Sequence, residues 1–168
     1  MNLIVFVDKN QKVIFCDVLK FLPNCQKELL ALVKNKVVIF DNKSKKLDKF
    51  FSGCKKIYFD KQSKIPTFFS QEDLPCQIIY NYKQLFSLSS TINDENIFLF
   101  GDEFSFVTRG YVEKIFLIRI NKTYIQGEKY IDLLEDKNYE IVLNGNPYFE
   151  EGQEYSISIF RNKVPDKY

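Results

Sequence analysis

Residues 97–120, IFLFGDEFSFVTRGYVEKIFLIRI, decide how the rest of the chain is read. Ile97 to Phe100 are apolar without alternation, the mark of a strand buried on both faces. Gly101 and a mostly polar stretch follow, and a second apolar run covers Ile115 to Ile120. The pattern predicts a buried strand, a tight turn into a short helix, and a returning strand. In open α/β sheets ligands gather outside the carboxyl ends of such strands, where a helix N-terminus can face an anion. Gly101 therefore marks a candidate cofactor site, although a strand, a turn and a helix also occur together as plain architecture.

Upstream, Leu3 to Val7 read as another buried strand. A loop through Cys16 and Asp17 leads to Leu22 and Pro23, and Asn24 is the expected N-cap of a helix over about Cys25 to Lys34, with Leu29, Leu32 and Val33 at helical spacing. Val37 to Phe40 make a second strand, and KSKKLDKFF (43–51) a short amphipathic helix. Lys56 to Phe59 make a third strand. A polar loop with Pro66 and Pro75 leads to a fourth, Gln77 to Tyr80, and a short helix over Lys83 to Leu88. Downstream of 97–120, a loop from Tyr124 to Lys137 precedes Tyr139 to Leu143 and Tyr155 to Phe160. These bracket Gly145, Asn146, Pro147 and Gly152 as a long hairpin. The pattern implies an α/β fold: a mostly parallel eight-stranded sheet flanked by helices, with a C-terminal antiparallel hairpin at one edge. One domain is expected over residues 1–163, with a loose tail at 164–168.

Composition narrows the chemistry. With 24 basic and 22 acidic residues the net charge is +2, and the lysines are scattered, so no nucleic-acid partner is expected. Apolar runs fall well short of the roughly 18 residues of a membrane span, and Met1 leads straight into a strand, so no membrane is expected and a cytoplasmic location is. The four cysteines, Cys16, Cys25, Cys54 and Cys76, form no CxxC pair, which argues for reduced thiols and against a metal site. The chain has no His, which removes Ser-His and Cys-His machinery and leaves acid–base work to carboxylates, Tyr, Lys or Cys. Most hydrolase chemistry is thereby excluded. The 17 Phe and 10 Tyr are read chiefly as core, and a monomer is expected.

From residue 96 onward the chain resembles the C-terminal half of a dihydrofolate reductase, on IFLFGD, Phe106, VEKIFLIRI and the final pair of strands. The N-terminal half is similar as well: LIVFVDKNQKVI to the family's opening strand and loop, LPNCQKELLALVKNKVVIF to its Leu-Pro, helix and second strand, GCKKIYF to its third. Leu22 to Ser44 align without a gap, and the resemblance covers nearly the whole chain. It implies a dihydrofolate reductase-like fold, NADPH as cofactor if the protein is active and none otherwise, and a folate or another small heterocyclic ligand.

The residues that the resemblance places at the site depart from the family pattern. Cys25 stands where the family has the acid that binds the pterin and supports its protonation, and Glu28, one turn on, is the nearest carboxylate. Cys25 reads either as a small core residue or as a thiol activated by a helix N-terminus. The substrate pocket would include Val5, Phe21, Lys55 and Ile118, with Cys54 in place of the family's clamping Arg. On the cofactor side, Asp41, Lys43 and Ser44 replace a GRxT-like phosphate loop and keep only its hydroxyl. The Gly pair has become Gly101 and Asp102, followed by Phe106. Two introduced carboxylates oppose a dianionic phosphate. The Gly101–Asp102 bond, cis in that family, is expected to be trans. Two functions follow: a reductase-like protein that has lost NADPH-dependent reduction of dihydrofolate and serves as a binding or interaction module, or an active reductase with a divergent site.

Overall fold

The computed structural model describes residues 1–61, 77–124 and 129–166, in which nine strands form one sheet. The strands are β1 (Asn2–Val7), β2 (Val37–Phe40), β3 (Lys55–Phe59), β4 (Gln77–Ile79), β5 (Ile97–Phe100), β6 (Lys114–Ile120), β7 (Tyr139–Leu143), β8 (Tyr148–Glu150) and β9 (Gln153–Asn162). Their order is β4-β3-β2-β5-β1-β6-β9-β7, with β8 also pairing β9. Strands β1 to β6 run parallel, and β9 is antiparallel to β6, β7 and β8. β1 is central: Leu3 pairs Leu99 on β5 and Ile115 on β6.

The sheet is covered on both faces, as uninterrupted apolar strands require. Leu3, Val5 and Val7 of β1 point to one side with Ile39, Leu99 and Ile115; there Leu85 of α2 (Tyr82–Ser87) and Phe104 of α3 (Phe104–Val107) complete the packing. Ile4 and Phe6 point to the other side with Phe40, Phe100 and Ile118, and there α1 (Pro23–Val33) buries Cys25, Leu29 and Val33. Those three lie four residues apart on one helical face, and sealing Leu29 and Val33 from water contributes about 1.5–3 kcal/mol each.

Several expectations need correction. The ninth strand is β8, which lies in the stretch read as part of the hairpin connection; Glu151 and Gly152, both at positive φ, turn it back onto β9. α1 begins at Pro23, not Cys25, and Asn24 does not cap it: Leu22 is the N-cap, and proline's fixed φ suits the first helical position. Residues 16–21, read as loop, form a 310 helix, and the short amphipathic helix expected over 43–51 is present as a 310 helix over 45–50. The hairpin pair β7 and β9 does lie at a sheet edge, and β7 is outermost. The loop with Pro66 and Pro75, and Cys76, lie outside the described residues. Cys16, Cys25 and Cys54 are free thiols. Among the described residues no helix is long and apolar enough to cross a membrane.

Candidate functional site

β2 and β5 are parallel neighbours with Phe40 opposite Phe100, so Asp41 and Gly101 leave the sheet side by side. Asp41 is buried, and its carboxylate is fully engaged: Oδ1 accepts the Ser44 N–H at 2.8 Å and Oδ2 accepts the Glu103 N–H at 3.0 Å. Gly101 has φ +145°, and a Cβ there would stand 2.2 Å from the Asp41 carboxylate, so glycine is required by both conformation and space. The Ser44 hydroxyl donates to the Phe100 carbonyl at 2.7 Å and sits 3.3 Å from that of Asp41. The backbone donors and the hydroxyl at this end of the sheet thus already serve the chain itself. The side chain of Asp41 occupies the space in front of the Ser44 and Glu103 N–H groups. The Gly101–Asp102 bond is trans.

Asp102 adds a second carboxyl beside the first. Burial, then the charge of Asp41, push it up to about 6, against Lys43 and the backbone N–H of Cys16, which pull it down; Asp17 adds a smaller upward push. Lys43 is exposed, with its ammonium 4.9 Å from the centre of the Phe15 ring. Folded Asp102 therefore binds its proton more tightly than the unfolded chain does, so its contribution to stability falls as pH rises from about 4 to about 6. Asp102→Asn is expected to flatten that slope and to gain about 1–2 kcal/mol at pH 7, discounted for partial solvent exposure. Urea titrations across that pH range check it, and an unchanged slope would contradict it. Of the expected cofactor-side residues, Asp41, Lys43, Ser44, Gly101 and Asp102 come together. Phe106 instead packs half-buried against the core on the face of α2 and α3, with the Lys129 ammonium 4.9 Å from its ring centre.

On the other face, Cys25 is fully buried in the first turn of α1. Burial first, then Glu28 and Glu150, push its thiol far above the ordinary range, which with its complete burial favours the small core residue over the activated thiol. Glu28 is exposed and raised by partial burial and then by Glu150. Ile118 is buried in the same cluster as Cys25. Val5 does not join them: its side chain points to the opposite face, and Phe6 occupies the side of Cys25 and Ile118. Lys55 is exposed at the amino end of β3, away from the carboxyl ends where Asp41 and Gly101 lie. Phe21, 60% exposed, borders a cleft of about 610 Å³ with Phe15, Asp17, Tyr124 and Glu151.

Two important residues escaped the sequence. Glu150 comes from β8 to accept the Asn24 N–H at 2.7 Å, bringing a carboxylate to the first turn of α1 from 126 positions away. Tyr155 is buried beside it, its hydroxyl raised by burial and by Glu28, Cys25 and Glu150. No local pattern announces either, since contact across that separation depends on how β8 and β9 close the sheet. Compared with known proteins, the sequence matches no protein-family model and no curated protein.

Proposed function

We propose that the chain is a dihydrofolate reductase-like protein in which NADPH-dependent reduction of dihydrofolate is lost or crippled, the fold being kept as a binding or interaction module. The observation that carries this reading is Asp41: its carboxylate takes up the Ser44 and Glu103 N–H groups at the carboxyl ends of β2 and β5. A nucleotide phosphate would have to displace a buried, doubly hydrogen-bonded carboxylate and meet Asp102 next to it. Like charges at contact distance repel by about 1 kcal/mol in water and more when shielded from it. The strand order and the closing antiparallel strands support the family resemblance drawn from the sequence, and Cys25 as a neutral thiol supports the loss of acid chemistry.

Separate titrations with NADPH and dihydrofolate, with turnover followed by absorbance, test the proposal. The expected result is weak or absent NADPH binding and negligible turnover; turnover within about tenfold of an ordinary dihydrofolate reductase would refute it. Cys25→Asp alone is expected not to restore activity, because Asp41 and Asp102 still oppose the cofactor. A second reading, an active reductase with a divergent site, is favoured by one observation: Glu150 places a carboxylate at the first turn of α1 even though Cys25 cannot. It requires NADPH to bind despite Asp41, so the same titration separates the two.

A further inference from the structure

The sheet is left open at one edge. On the side of β9 away from β6, β7 pairs with residues 159–162 and β8 with residues 153–155, so the two strands share that edge and no described strand lies beyond them. Among the described residues, five of the ten large apolar side chains exposed to water stand on these two strands: Ile141, Val142, Leu143, Tyr148 and Phe149, the last 76% exposed. Natural sheets guard such an edge with lysine, proline or an unpaired charge. β7, YEIVL, has neither lysine nor proline, and its one charge, Glu140, is held by Arg161 of β9.

The backbone of this edge is open as well. The Lys163 N–H donates to the Asn138 carbonyl at 2.8 Å, which makes Asn138 and Lys163 a hydrogen-bonded pair. Such pairs alternate along an antiparallel ladder, so Glu140 bonds to β9 while the N–H and C=O of Ile141 point away from it. A residue that presents both groups outward can pair with its own copy about a two-fold axis. Charge selects the register. With Ile141 opposite Ile141, the two residues exchange both hydrogen bonds and Glu140 faces Val142 of the second copy, whereas centring the pair on Glu140 sets like charges opposite each other. The bulge between Ile141 and Leu143 keeps the ladder short, so side-chain burial must supply much of the energy. The five exposed residues offer on the order of 600 Å² per chain, so on the order of 1,200 Å² is available to a symmetric pair, the low end for a specific interface.

We propose that the chain forms a two-fold dimer through antiparallel pairing of β7 with β7 of a second copy, Ile141 opposite Ile141, in place of the monomer expected from the sequence. The pairing joins the two sheets into one and withdraws the apolar edge from water. An interface of this size dissociates in the micromolar range. The inference goes beyond the binding-module reading and does not depend on it, because the β7 edge lies apart from Asp41 and Gly101.

Sedimentation velocity and amide hydrogen exchange of the intact chain, from about 1 to about 200 μM, test the proposal. The expected result is a monomer–dimer equilibrium in which the Ile141 amide exchanges at least about tenfold more slowly at the highest concentration than at the lowest. Ile141→Lys sets two ammonium groups opposite each other at an exposed edge position, where lysine is well tolerated. It is expected to raise the dimer dissociation constant at least about tenfold, with the thermal unfolding of the dilute chain close to that of the parent. Should that variant fail to fold, exchange of the Ile141 amide in the unaltered chain still decides. A chain that stays monomeric to about 200 μM would overturn the proposal. So would a dimer whose Ile141 amide exchanges at the same rate at every concentration, or a folded Ile141→Lys chain that dimerises like the parent.

Discussion

Asp41→Ala is expected to lower the free energy of unfolding by about 2–3 kcal/mol, because it leaves the Ser44 and Glu103 N–H groups without their acceptor in a closed part of the structure. Each such donor costs about 1–3 kcal/mol, and relief of the repulsion between Asp41 and Asp102 returns part of the loss. Asp41→Asn, which keeps one acceptor oxygen, should cost less. Removing the Asp41 charge should also bring Asp102 down from about 6, a shift that NMR titration of the Asp102 carboxyl reads directly. If Asp41→Ala unfolds within about 0.5 kcal/mol of the parent in urea, the carboxylate is not what holds this turn together. The proposal that Asp41 stands against a phosphate here would then weaken.

Phe100→Ala should be more damaging still, at about 4–5 kcal/mol. Phe100 is completely buried, with its ring centre 4.9 Å from that of Phe51, 5.8 Å from Phe40 and 6.1 Å from Phe6, all in edge-on arrangements. Truncation removes the transfer energy of a large side chain, opens a cavity where β5 and β2 meet and discards three ring contacts. Against a typical domain stability of about 5–15 kcal/mol, the variant would be marginal. Phe100→Leu, which refills most of the volume, should cost about 1–2 kcal/mol. Equal losses for the two substitutions in thermal or urea unfolding would show that the ring contacts, lost in both, carry the cost and that the cavity does not. Because the Phe100 carbonyl also accepts the Ser44 hydroxyl, the alanine variant should loosen the turn at Asp41 as well.

The strands that carry the sheet were legible for a simple reason. β1, β2, β5 and most of β6 are buried on both faces, and a doubly covered strand must be apolar along its whole length. That same continuity hid the facing of each side chain. Where every position of a strand is apolar, nothing in the pattern tells odd from even, and Val5 was assigned to the side that belongs to Phe6. β8 was lost because three residues are too few for a period to show, and its pairing with β9 is decided by a tight turn at Glu151 and Gly152. The start of α1 was misplaced because Asn24 looks like a cap, whereas it lies inside the first turn and donates its own N–H to Glu150.

By itself the sequence determined the materials. An uninterrupted apolar run makes a central strand, the lack of His removes the commonest general base, and Cys25 at the start of a helix cannot act as a carboxylate. These follow from residue type and local order, which do not depend on the rest of the chain. Tertiary structure alone decided which groups meet. It packed the Asp41 carboxylate against Gly101 and onto the Glu103 N–H, and it carried Glu150 to α1 with one oxygen left over. A carboxylate repels an incoming phosphate, caps a turn or receives a cation according to which donors and charges lie within a few ångströms. Those neighbours come from distant parts of the chain, where register and strand order choose them.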